Sequence, residues 1–248
     1  MIRNSFCFLE RIGLRSEQNL WSQGIYDWSS FIHSQKIKGL SPIRKNFFER
    51  QLKKAQKHLF DYDSSFFTDF PTSEVWRLYD YFRDDCLFVD IETTGYYGDI
   101  SVLGFYDGNQ TMTLVKGSSL CKRNIKDIIS RYKLLISFNG LSFDIPVIRR
   151  AFSLSPNIPH LDLRFALSRL GYDGGLKAIE KILGIQRNSE ITGADAVSLW
   201  HEAKNGDEDA LNLLVQYNEE DIVNLQPLAD FAYKNLSSQL KKNFFRRE

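Results

Sequence analysis

Cysteine is scarce in this chain, and so is any long apolar stretch. Three cysteines occur in 248 residues, Cys7, Cys86 and Cys121. They are odd in number, widely spaced and lack CxxC or Cys/His spacing, so neither a disulfide framework nor a zinc site is indicated. A reducing, cytoplasmic setting is the expectation. No apolar run approaches the roughly 18 residues needed to span a bilayer, and the first residues lack the continuous apolar segment of a secretory leader. Low-complexity tracts and repeats at solenoid spacing are absent from the sequence as well.

What is present is the composition of a globular protein. Apolar residues make up 43% and charged residues 25%, enough to build a core and to solvate the surface around it. The net charge of +1 conceals a local imbalance. From Gln35 to His58 the basic residues Lys36, Lys38, Arg44, Lys45, Arg50, Lys53, Lys54 and Lys57 face a single acid, Glu49. Such a segment either attracts a polyanion through counterion release or forms a solvated helix face. Lys53 and Lys54, adjacent in the middle of it, are candidates for nucleic-acid contact.

Hydrophobic periodicity divides the chain into a helical beginning and an α/β remainder. Leu20, Trp21, Ile25, Trp28, Phe31 and Ile32 recur at helical spacing with Ser16 as a cap, and a second helix is expected after Ser41-Pro42, with Phe47, Phe48 and Leu52 on its apolar side. A connection follows over 62–72. From Cys86 the period becomes that of strands: 87–91, 101–106 and, after an Asp107-Gly108 turn, 111–115, a three-stranded meander. A helix around 125–131, a strand at 134–138 and a helix through Val147, Ile148, Ala151 and Phe152 continue the alternation that indicates an α/β sheet. After a short extended piece at 161–163 the rest is helical, over 176–183 with Gly184 as its stop, 194–203 and 210–233. The expected organisation is a helical, basic module over 1–70 followed by an α/β domain over 71–248.

Three groups of residues carry the chemistry. Asp90 and Glu92 lie two apart at the end of the apolar strand Leu87-Phe88-Val89, so their side chains share one face. Delivering two carboxylates to the end of a buried strand is costly unless a hard divalent cation, bound through oxygen, compensates them. Asp144 follows the next apolar strand, in Phe138-Asn139-Gly140-Leu141-Ser142-Phe143-Asp144-Ile145-Pro146. Asn139 and Gly140 suit a tight turn, and Asp144 taken alone is equally a helix cap. Tyr217 and Asp221 are four apart, which brings a hydroxyl and a carboxylate to one helix face.

In this order the three motifs resemble those of the DEDD 3′ to 5′ exonucleases on the ribonuclease-H-like fold. The first is Asp90-Ile91-Glu92-Thr93-Thr94-Gly95, the second runs from Phe138-Asn139-Gly140 to Asp144-Ile145-Pro146, and the third is Tyr217 with Asp221. The tyrosine is similar to that of the DEDDy branch. Tyr217-Asn218 with Asp221-Ile222, Trp200, and His160-Leu161-Asp162-Leu163 resemble the YprB-like predicted exonucleases and the proofreading domains of family B polymerases, a match over about 87–232. The segment from Phe8 to Ile25 is similar to the helical module that precedes the nuclease in YprB-like proteins.

The resemblance implies a mixed sheet flanked by helices and two Mg²⁺ or Mn²⁺ ions. Asp90, Glu92 and Asp221 would hold one ion, and Asp90 and Asp144 the other. Tyr217 would orient the attacking water, and Thr93, Thr94 and Asn139 would border the terminal nucleotide. The implied substrate is nucleic acid with a free 3′ end, single-stranded DNA ahead of RNA, and the products are nucleoside 5′-monophosphates. Asp162, a fifth acid nearby, reads as supporting rather than ligating. Two alternatives stay open: a non-catalytic nucleic-acid-binding module on the same fold, and an endonuclease, since two-metal chemistry does not itself require a strand end.

Overall fold

The computed structural model describes residues 1–95, 98–188 and 191–245. Helix α1 spans Leu14–Trp21 and α2 spans Trp28–His33. The periodic run from Leu20 to Ile32 is therefore broken. Gly24 turns the chain at φ +80°, and Asp27 restarts it, its carboxylate accepting from the Ser30 amide at 2.7 Å while the Ser30 hydroxyl serves the Asp27 amide. Ser16 is not a cap. The extended backbone of Gly13 starts α1 three residues earlier and leaves Ser16 exposed inside its first turn. Helix α3, Pro42–Phe60, opens as expected, with the Ser41 hydroxyl accepting from the Arg44 amide and proline at the first position, where its missing N–H is not needed.

Strands β1 (Cys86–Thr93), β2 (Ile100–Tyr106) and β3 (Thr111–Val115) form the antiparallel meander. Its second turn is built by Asp107, whose carboxylate accepts from the amides of Asn109 and Gln110, both at 2.9 Å. Helix α4 (Lys122–Ile129) leads to β4 (Leu134–Ser137), α5 (Asp144–Phe152) to β5 (His160–Asp162), and α6 (Leu163–Ser168) follows at once. Helix α7 (Leu176–Leu183) stops at Gly184, which takes φ +72°. Helices α8 (Gly193–Lys204) and α9 (Glu208–Phe245) complete the described chain. The sheet order is β3-β2-β1-β4-β5, with β4 and β5 parallel to β1.

Alternate residues of β1 serve opposite layers. Leu87, Val89 and Ile91 pack with Ile125 and Ile129 of α4 and Ile145 and Ile148 of α5. Phe88 points to the other face, which is covered by Leu225, Leu228 and Ala229 of α9 and by the N-terminal segment. That second core is continuous from Ile2 through Trp28, Phe31, Phe48 and Leu59 to Leu236, so the helical beginning and the α/β part share it.

A buried ionic network joins the two stretches across this core. Arg77 Nη1 lies 2.9 Å from Glu17 Oε2 on α1, and its Nε donates to Glu74 at 2.7 Å. Glu74 also receives Arg169 at 2.6 Å, from the chain just after α6. Glu17, Glu74 and Arg77 are each no more than 1% exposed. Burial pushes the Glu17 carboxyl upward, and Arg77 opposes that shift. Removing one partner leaves charge stranded in the core. Arg77→Met is expected to lower unfolding free energy by roughly 3–5 kcal/mol, read as a fall in the urea midpoint; an unchanged midpoint would contradict this role for the network.

Candidate metal-binding active site

The site exists because β4 is shorter than β1. The two strands pair only from Cys86↔Leu134 to Phe88↔Ile136, after which the chain leaves the sheet at the Asn139-Gly140 turn. The carboxyl half of β1 runs on beside β2 alone, with its other edge open. Asp144, the first residue of α5, fills that edge: its Oδ1 accepts from the Ile91 amide at 3.1 Å. Asp144 is 2% exposed and does not cap its own helix.

The turn that aims Asp144 is over-determined. Asn139 sits at φ +64°. Asp162 accepts from the amides of Asn139 at 2.8 Å and Leu141 at 3.1 Å, and Ser137 Oγ accepts from the Gly140 amide at 3.1 Å. Ser137 Oγ also lies 2.7 Å from His160 Nε2, and burial pulls that imidazole down to about 4, so it is neutral. A Cβ on Gly140 would fall 2.1 Å from Ser137 Oγ, a close approach that only glycine permits.

On the α9 face of β1, Asp90 and Glu92 meet Asp221. One carboxylate oxygen from each of the three lies within 4.8 Å of the others. Burial raises the Asp90 carboxyl well above the usual carboxylate range, and Asp144, Glu92 and Asp221 raise it further; Asn218 Nδ2, donating at 2.9 Å, opposes them. Burial, then Asp221 and Asp144, push Glu92 up to about 8. Asp144 is pushed up to about 7, chiefly by burial. Tyr217, one turn before Asp221, is held above its ordinary value by burial and by Asp221, Glu92 and Asp90, so it stays a phenol at neutral pH.

Several predicted residues have other occupations in this structure. The Thr93 hydroxyl donates to the Gly95 carbonyl at 3.0 Å, and Thr94 Oγ1 accepts from the Asp99 amide at 3.1 Å, so both hydroxyls brace the turn that follows β1. Asn139 Oδ1 accepts from Arg164 at 2.7 Å. Lys53 and Lys54 are exposed on α3. The end of that helix, where Tyr81 donates to the Leu59 carbonyl at 2.6 Å and Tyr62 packs on Phe82, lies toward the start of β1, opposite the carboxylates.

Other residues, to which the sequence reading assigned no role there, also reach the site. Asn218 holds Asp90 while its Oδ1 lies against Gly104 of β2, where a Cβ would approach to 1.9 Å. Its position beside Tyr217 and three before Asp221 was the available signal. Lys177 of α7 stands 4.5 Å from the Tyr217 ring centroid, and Arg187 pairs with Asp221 and with Glu180 at 2.9 Å. No local pattern marks these two, because only tertiary packing brings α7 and the chain after it to α9.

The donor set fits a hard divalent cation. Every candidate ligand is a carboxylate oxygen, three of them converge, and burial, with mutual repulsion at Asp90 and Glu92, makes their ionised forms costly until a cation joins them. Asp90, Glu92 and Asp221 would hold such an ion, with Asp144 beside Asp90. Among the described residues no helix is long and apolar enough to cross a membrane.

Two outcomes follow from this geometry. Gly104→Ala should expel the Asn218 amide from Asp90 and cost about 2 kcal/mol or more in stability, by overpacking and by stranding a buried polar group; wild-type stability and divalent-ion affinity would contradict it. The pH dependence has a definite sign. Raised folded-state carboxyl values mean the folded state binds more protons, so stability is lost as pH rises toward about 8. In EDTA, Tm should fall between about pH 5 and 8 and level off above that, and Mg²⁺ should reduce the fall. A flat or rising Tm in EDTA would contradict the cluster's charge state.

No curated protein matches the chain. Among solved structures, Brucella melitensis NrnC is similar over 67% of this chain and 81% of its own, with 19% identity and a TM-score of 0.46. The model of the RNase H superfamily matches residues 87–233, which take in β1 through most of α9 and every carboxylate of the site. The chain belongs to the RNase H superfamily.

Proposed function

We propose that this protein is a divalent-metal-dependent 3′ to 5′ exonuclease that hydrolyses phosphodiester bonds of single-stranded nucleic acid, DNA ahead of RNA, and releases nucleoside 5′-monophosphates. The observation that carries the reading is the convergence of Asp90, Glu92 and Asp221 within 4.8 Å, in an RNase H superfamily sheet, with Asp144 on the adjacent strand edge.

Asp90, Glu92, Asp144 and Asp221 would hold two Mg²⁺ or Mn²⁺ ions, which would supply the chemistry by lowering the pKa of water and stabilising charge on the attacking and leaving oxygens. The protein's own work is placement. Asp90 is fixed by Asn218, Asp144 by the Ile91 amide, and Asp221 by Arg187. Tyr217 keeps its proton, so it serves as a hydrogen-bonding group that orients water rather than as a base. The order of the motifs and the tyrosine in the third of them support end-directed cleavage. Thr93, Thr94 and Asn139 border the site through their turns, and Lys53 and Lys54 would supply sequence-independent affinity farther along the strand. The unpaired buried thiols of Cys7 and Cys86 suit a reducing cytoplasmic setting.

Digestion of matched 5′-labelled DNA and RNA oligonucleotides with Mg²⁺ or Mn²⁺ tests the reading. Wild type should give a ladder shortened from the 3′ end and should leave circular single strands intact. Asp90→Asn should reduce the rate by roughly 10²-fold or more. Cleavage of circles would favour the endonuclease; intact oligonucleotides with retained binding would favour the non-catalytic module.

A further inference from the structure

Arg187 stands in the carboxylate site without belonging to any of its motifs. Residues 217, 220, 221 and 224 form one stripe along α9, and the guanidinium lies on it. Nη2 meets Asp221 Oδ1 and is 3.3 Å from Glu220, and Cζ is 5.8 Å from the Tyr217 ring centroid. On its other side Nη1 is 2.9 and 3.1 Å from the two oxygens of Glu180, which is 0% exposed and also receives Asn224 Nδ2 at 2.9 Å. With its side chain 12% exposed, Arg187 is held in place rather than sampling solvent.

This placement has two electrostatic consequences of opposite sign. The guanidinium orients Asp221 through their contact, and its positive charge opposes the upward push that burial gives that carboxyl, which prepares a ligand. The same charge sits one carboxylate away from the position a divalent cation must take, and it repels that cation through a partly buried, low-dielectric medium. That repulsion is weakly screened in a partly buried site, so removing the guanidinium is expected to tighten ion binding to the empty site. A phosphate group brought by a nucleotide would relieve it, because its negative charge is attracted both to the ion and to the guanidinium.

We propose that Arg187 is a resident counter-cation of the carboxylate cluster, a positioning residue that makes divalent-ion binding weak in the free protein and tight only together with a phosphate-bearing nucleotide. The inference rests on the metal-dependent reading of the site. It deepens that reading by coupling ion binding to substrate.

The test is Mn²⁺ binding followed by electron paramagnetic resonance, with and without a nucleoside 5′-monophosphate. R187Q should bind Mn²⁺ about ten-fold more tightly than wild type in the absence of nucleotide. R187K, which keeps the charge, should stay near wild type, and the nucleotide should tighten Mn²⁺ binding in wild type far more than in R187Q. Because R187Q strands Glu180, the double variant E180Q/R187Q is measured beside it and should still bind more tightly than wild type. Equal or weaker Mn²⁺ binding by the folded variants would overturn the role of Arg187 and leave the metal-dependent reading intact. A wild type that binds no Mn²⁺ with or without nucleotide would overturn both.

Discussion

Mutual repulsion among buried carboxylates is the constraint around which this molecule is arranged. Asp90, Glu92 and Asp221 bring oxygens within 4.8 Å of one another, with Asp144 on the neighbouring edge of β1. At that separation two unit charges repel by roughly 3–4 kcal/mol at an effective dielectric constant near 20. A fold only about 5–15 kcal/mol more stable than its unfolded chain tolerates this only if each group is held from elsewhere. Asp144 is held by a backbone amide that a short β4 leaves open, Asp90 by Asn218 across Gly104, and Asp221 by Arg187. What remains uncompensated is negative charge shaped for a hard cation.

The rest of the structure can be understood as the frame that keeps this arrangement rigid. Asp162 and Ser137 fix the Asn139–Leu141 turn, and α9 lies along the sheet so that Tyr217, Asn218 and Asp221 face the end of β1. Glu219 reaches the far side of the meander, accepting from Thr111 at 2.8 Å. The N-terminal helices complete the core under α9, locked by Glu17, Arg77 and Glu74.

Much of this was legible in the sequence, for identifiable reasons. The apolar strand ending in Asp90 and Glu92, the Asp107-Gly108 turn, the Ser41-Pro42 helix start and the Gly184 stop are local signals, and the structure bears each of them out. The break between α1 and α2 was missed because apolar spacing continues across Gly24 and Asp27, both of which argue for interruption. Lys177, Glu180 and Arg187 were missed for a deeper reason: their importance depends on a helix and the chain after it packing against α9, and no short-range pattern encodes that. The hydroxyls of Thr93 and Thr94 show the converse case, in which a motif position is occupied by hydrogen bonds within its own turn.

The carboxylates at the end of β1 are arranged as a cation site. Diffraction from crystals soaked in Mn²⁺, recorded where manganese scatters anomalously, addresses it without reference to substrate or turnover. An anomalous peak enclosed by the carboxylates of Asp90, Glu92 and Asp221 is expected, and it should be lost in Asp90→Asn. No peak there, or manganese bound only at other acidic positions, would contradict it.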